Sequence, residues 1–185
     1  KVKLAIFDMD GTLFNTNNVN YYAYKEALKK YNVDLDYDYY CNYCNGRHYT
    51  VFIPKLVNYD EKKVEDIHNL KKQFYAKNLD KVIVNNHLFN IINLIHGTYK
   101  TALVTTASKK NTLEILEYTK TKDCFDLILT AEDVKRPKPD PEGFNLAINR
   151  FNILSKDTII FEDSEVGIEA ARKTGAAVMV VDKMV

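Results

Sequence analysis

The sequence predicts an α/β protein: a parallel sheet flanked by helices on both faces, with an all-helical segment inserted after the first strand. Two observations carry this. Short β-branched or apolar runs alternate with helical patterns through the C-terminal half, which is how strands joined by crossover helices read. The stretch 16–80 breaks that alternation and shows helical periodicity instead.

The opening run, 2–7 (VKLAIF), is the first strand, and further strands are expected at 101–105 (TALVT), 126–130 (DLILT), 157–161 (DTIIF) and 177–181 (AVMVV). Helices at 109–119, 141–151 and 165–174 separate the later ones, announced by Ser108, Pro141 and Ser164 respectively. Within the insertion the pattern gives a helix over 19–31, a tyrosine-rich helical stretch over 35–57, and a helix over 60–78 in which Val64, Ile67, Leu70, Lys71 and Phe74 recur. A helix at 85–96 returns to the sheet. Residues 1–15 and 81–185 thus form the core domain and 16–80 an inserted domain, joined by crossings near 15–18 and 78–84.

At 185 residues the chain can bury one substantial core and a smaller subdomain. Its 26 basic and 25 acidic side chains leave a net charge of +1, which gives no electrostatic footprint for nucleic acid or an anionic membrane. Apolar runs such as 176–181 are too short to span a bilayer, and the N-terminus opens into a strand rather than a signal peptide. With three cysteines, an odd number, the expectation is a soluble cytoplasmic protein.

Ligands of open α/β sheets bind beyond the carboxyl ends of the strands. Polar groups collect at four such places: Asp8 and Asp10 after the first strand, Thr105 and Thr106 after the second, Lys138 in the loop following the third, and Glu162 and Asp163 after the fourth. Carboxylates this close raise one another's pKa, so a cation or a reacting group is needed to balance them. Hard oxygen ligands suit Mg²⁺, while a lysine and a threonine hydroxyl suit phosphoryl oxygens. A metal site beside an anion clamp is the apparatus of phosphoryl transfer. Asp8 then serves as nucleophile, and Asp10 as the acid for the leaving oxygen and afterwards the base for water. Gly11 permits the turn that brings backbone N–H groups near the phosphate.

"DMDGT", 8–12, resembles the DxDGT motif of the haloacid dehalogenase-like hydrolase superfamily. "LVTTAS", "KRPKPDPEGF" and "FEDSEVGIEAARKTGA" resemble its second, third and fourth motifs, in the same order and spacing over residues 2–182. The insertion sits where the branch with a helical cap after the first motif carries it. The resemblance implies a Rossmann-like core, Asp8 as nucleophile and metal ligand, and Asp10 as acid/base with its backbone carbonyl on Mg²⁺. It implies Thr105 and Lys138 as phosphate ligands, Thr106 being the alternative one residue on. Asp163 would be a metal ligand and Glu162 a direct or indirect partner of the metal.

The namesake dehalogenases lack the second aspartate, so Asp10 speaks for phosphate chemistry. The fourth motif is similar to that of the branch holding small-metabolite phosphatases and β-phosphoglucomutase. Where the mutase has a cap-hinge histidine that helps control proton transfer, this chain has Asn20. Asn15 stands where many relatives have aspartate. The implied function is a Mg²⁺-dependent phosphatase acting on a small phosphorylated metabolite, such as a sugar phosphate, through an aspartyl-phosphate. A phosphomutase is the alternative, and a non-catalytic binding domain would require a broken motif.

In "GRHYT", 46–50, Arg47 is the candidate for a second phosphate or carboxylate of the substrate; a solvated loop arginine fits it equally. Cys41 and Cys44, with His48 nearby, form a CxxC without a second pair and read as structural thiols.

Overall fold

A computed structural model describes residues 3–182 and 184; Val2, the first residue of the predicted opening strand, lies outside them. In chain order, β1 (Leu4–Phe7) and β2 (Phe14–Asn15) precede α1 (Asn17–Lys29), α2 (Tyr37–Tyr39), α3 (Tyr49–Leu56) and α4 (Glu61–Tyr75). Then come β3 (Ile83–Val84), α5 (Asn86–Ile95), β4 (Lys100–Val104), α6 (Lys109–Tyr118), β5 (Leu127–Leu129), α7 (Glu142–Arg150), β6 (Thr158–Glu162), α8 (Glu165–Lys173) and β7 (Ala177–Val180). The chain divides into two compact units, Lys1–Asn15 with Ile83–Val185, and Thr16–Val82.

In the first unit the described strands form a five-stranded sheet in the order β5-β4-β1-β6-β7, with every pairing parallel. This is the α/β architecture that alternating strands and helices predict. Period-two alternation sends Leu4 and Ile6 of β1 to one face, where they pack with Ala102, Val104, Ile160 and Phe144 of α7. Phe7 points to the other face and stacks on Phe161 at 4.6 Å between centroids, a contact worth about 0.5–1.5 kcal/mol beyond its burial.

Side chains start the helices where the sequence places caps. Ser108 accepts the Asn111 N–H and Ser164 the Gly167 N–H, each satisfying an orphan donor of the first turn. Before α7, the Asp140 carboxylate accepts the Glu142 N–H, since Pro141 offers no side-chain acceptor. The strands β2 and β3 pair antiparallel, Phe14 with Val84 and Asn15 with Ile83, a short ribbon the sequence did not announce. Two residues a side carry too little pattern to be read.

The second unit is helical, and its core gathers Tyr21, Ala27 and Leu28 of α1, Phe52 and Ile53 of α3, and Ile67 of α4. Asp60 caps α4 by accepting the Lys63 N–H. The tyrosine-rich helical stretch expected over 35–57 falls into three pieces. After α2 comes a π-helical turn, Tyr40–Cys44, and then a break before α3. Gly46 in that break has φ +73°, a conformation glycine alone adopts without strain. The 60–78 helix ends at Tyr75 and passes into a 3₁₀ segment, Ala76–Lys81, where the Asn78 side-chain amide donates to the Phe74 carbonyl at 3.0 Å. No helix among the described residues is long and apolar enough to cross a membrane.

Candidate active site

Strand register explains why distant residues meet. Phe7 is level with Leu103 on one side and Phe161 on the other, so Asp8, Val104 and Glu162 follow at one carboxyl edge. Asp8 stays tied to that edge by donating its N–H to the Phe161 carbonyl at 3.0 Å. Lys138, from the loop before α7, places its Nζ 2.5 Å from Asp8 Oδ1 and 2.6 Å from Glu162 Oε1. The same ammonium donates to the Val104 carbonyl at 3.3 Å and lies over the Phe144 ring at 4.9 Å.

Glu162 is fully buried. Its Oε2 accepts the Asp163 N–H, the Ser164 N–H and the Ser164 hydroxyl at 2.9, 3.1 and 3.1 Å. With Lys138 on Oε1, both oxygens are engaged, and the carboxylate links the end of β6 to the start of α8. It fits there because Gly167 has no side chain: a Cβ would stand 1.9 Å from Glu162 Oε1. Asp163 is oriented by the Thr12 hydroxyl, which donates to its Oδ1 at 2.8 Å. A Cβ on Gly11, whose φ is +88°, would lie 2.2 Å from Asp163 Oδ2.

Burial pushes the Asp8 carboxyl well above the usual range; Lys138 opposes this, while Glu162 and Asp163 add to it. For Lys138 burial works against the charge, but the Asp8 and Glu162 carboxylates outweigh it and raise its pKa. Asp163 is also raised, by burial first, against the Thr12 hydrogen bond and with Glu162. One oxygen each of Asp8, Glu162 and Asp163 lie within 4.8 Å of one another. Three clustered carboxylates against a single ammonium leave an excess of negative charge in a poorly solvated place. That donor set, hard oxygens with charge left over, fits a divalent cation such as Mg²⁺. Since Glu162 is hydrogen-bonded on both oxygens, Asp8 and Asp163 are the residues better placed to hold it.

The other predicted residues fall as follows. Asp10 is partly exposed in the loop after Asp8, paired through its backbone with Phe14, and its carboxylate is not one of the converging three. The Gly11 N–H donates to the Phe14 carbonyl at 2.7 Å, so this amide is spent inside the loop; the positive φ and the approach of Asp163 account for the glycine. Thr105 is buried and its hydroxyl accepts the Ala107 N–H at 3.1 Å, while Thr106 is exposed. Both threonines line a small cavity with Lys138, Arg136 and Asp140.

Arg47 is exposed in the second unit, its N–H on the Cys44 carbonyl. Cys41 is exposed and Cys44 is buried, where loss of solvation pushes the thiol up to about 11. The sequence did not single out Thr12, Gly167 or Glu142 for a role. Glu142 accepts the Lys135 N–H at 2.8 Å and Arg136 Nε at 3.0 Å, closing the loop that carries Lys138.

A family model described as haloacid dehalogenase-like hydrolase matches residues 5–181. The chain belongs to that family. Among curated relatives of the family, a phosphorylated carbohydrates phosphatase of Thermotoga maritima is 28% identical over 181 residues, covering 94% of this chain and 82% of that one. A validoxylamine A 7'-phosphate phosphatase of Streptomyces hygroscopicus subsp. limoneus is 26% identical over 176 residues, again 94% and 82%. Among solved structures, CbbY from Rhodobacter sphaeroides in complex with phosphate superposes with a TM-score of 0.86 at 21% identity, covering 100% of this chain and 88% of that one. At that identity the likeness shows the fold alone.

Proposed function

We propose that the protein is a Mg²⁺-dependent phosphatase that hydrolyses a small phosphate monoester through an aspartyl-phosphate on Asp8. The observation that carries this reading is the Lys138 ammonium held between Asp8 and Glu162 at the carboxyl edge of the sheet, beside Asp163. The names of the two phosphatase relatives favour a small phosphorylated metabolite as substrate, and that of the Thermotoga maritima relative a phosphorylated carbohydrate.

In the first step an Asp8 oxygen attacks phosphorus, the bond to the ester oxygen breaks, and Asp10 gives that oxygen its proton. In the second, Asp10 takes a proton from water as the water oxygen attacks the same phosphorus. Inorganic phosphate leaves and Asp8 is restored. Lys138 and Thr105, with Thr106 next to it, hold the phosphoryl oxygens. Glu162 acts through Lys138, keeping the ammonium charged and in place. When bound by Asp8, Asp163 and the Asp10 carbonyl, Mg²⁺ supplies neutralisation of the phosphoryl oxygens' charge.

The Lys1–Asn15 and Ile83–Val185 unit carries this chemistry, and in the helical insert Arg47 is the candidate for a second anionic group of the substrate. Asn20 donates to the Thr16 hydroxyl at 3.2 Å within the first turn of α1, an arrangement that offers no support to the mutase alternative. Three free thiols suit a cytoplasmic location. The test is Asp8→Asn: it should leave the fold intact and reduce turnover of phosphorylated sugars to background, whereas substantial remaining activity would refute the nucleophile assignment.

A further inference from the structure

We infer that Asn85 is a positioning residue for the acidic cluster, acting through Thr12 on Asp163; the inference rests on the reading of that cluster as a cation site. Asn85 follows β3 immediately and uses both ends of its amide. Its Oδ1 accepts the Leu88 N–H at 3.3 Å, capping α5, and its Nδ2 donates to the Thr12 carbonyl at 3.0 Å. Its backbone N–H donates to the Leu13 carbonyl at 2.9 Å. Two consecutive carbonyls of the loop after β1 are therefore pinned to the start of α5, and Phe14 packs against Phe89 of the same helix at 5.4 Å between centroids.

That loop is the bed of Asp163. The buried Thr12 donates its hydroxyl to Asp163 Oδ1, and Gly11 makes room for Oδ2. The chain of contacts runs from Asn85 to Thr12 to Asp163, and the separate acceptor and donor ends of the amide let one side chain cap α5 and donate to the loop together. Partners that orient metal-binding carboxylates govern affinity although they never touch the ion.

Titration calorimetry with Mg²⁺ on the whole chain tests this. Asn85→Ser keeps a good cap but is too short to serve Thr12 as well, and Thr12→Val removes the hydroxyl. Each should weaken Mg²⁺ binding about 10-fold or more, and Thr12→Ser should restore it. The double variant should bind no more weakly than the worse single one, because the two residues act in series. A purely structural role would lower the melting temperature and leave the Mg²⁺ affinity unchanged.

Asn85→Asp serves as a second variant should Asn85→Ser fold poorly. Its added charge alone would tighten cation binding, so weaker binding supports the inference and tighter binding overturns it. Wild-type affinity in Asn85→Ser, or losses that multiply in the double variant, overturns it alone. A wild-type protein that binds no Mg²⁺ overturns the cation reading together with it.

Discussion

Lys138 is the residue on which the site's charge balance turns. Two carboxylates share its ammonium at 2.5 and 2.6 Å with little solvent access. Removing one partner of a buried ion pair typically costs about 3–5 kcal/mol because the remaining charge is left uncompensated. Lys138→Met should therefore destabilise the protein by a loss of that order at neutral pH, measured by urea unfolding. A variant as stable as the wild type would show that Asp8 and Glu162 do not depend on it. Gly167 makes a sharper geometric case. A Cβ there would stand 1.9 Å from Glu162 Oε1, so Gly167→Ala must displace the carboxylate from Lys138. Overpacking of this kind costs about 1–3 kcal/mol, more than the ~1 kcal/mol that alanine returns to a helix. Unfolding at the wild-type midpoint would contradict it.

At the scale of elements, the His68 ring of α4 stacks on Tyr49 at 3.6 Å and 8°, and its Nδ1 has no hydrogen-bond partner among the described residues. Burial, then the nearby Lys72, Lys71 and His48, depress its pKa from 6.5 to about 4. A depressed histidine contributes stability that is present above pH 6.5 and is lost as the pH falls toward 4. His68→Phe keeps the stack without the titration. Its melting temperature should fall less than the wild type's over that range, by a gap of several degrees at about 2–4 °C per kcal/mol for a chain of this size; parallel pH profiles would contradict this. Elements were legible where pattern and cap agree, as for α6 and α8 behind Ser108 and Ser164. They were illegible over 35–57, because the tyrosines give a continuous apolar rhythm across a break set by the backbone of Gly46. At the site, Asp8, Lys138, Glu162 and Asp163 could be read because each ends or follows a strand run. Thr12, Gly167 and Asn85 could not, because what marks them is a partner remote in the chain or a missing Cβ.

For the whole molecule, family membership fixes the fold and the class of chemistry. If Arg47 holds a second anionic group, Arg47→Ala should raise KM for bisphosphorylated or carboxylated substrates about tenfold or more, the scale of one lost charge-assisted contact. Unchanged KM on every accepted substrate would remove it from the site. The central claim, Mg²⁺-dependent hydrolysis through Asp8, is tested most directly by ³¹P NMR. Wild type and Asp8→Asn would each be followed with a panel of sugar and other small-metabolite phosphates, in Mg²⁺ and in EDTA. The account predicts inorganic phosphate from the wild type in Mg²⁺ alone and none from Asp8→Asn. A positional isomer formed without free phosphate, or phosphate release undiminished by EDTA or by Asp8→Asn, would contradict it.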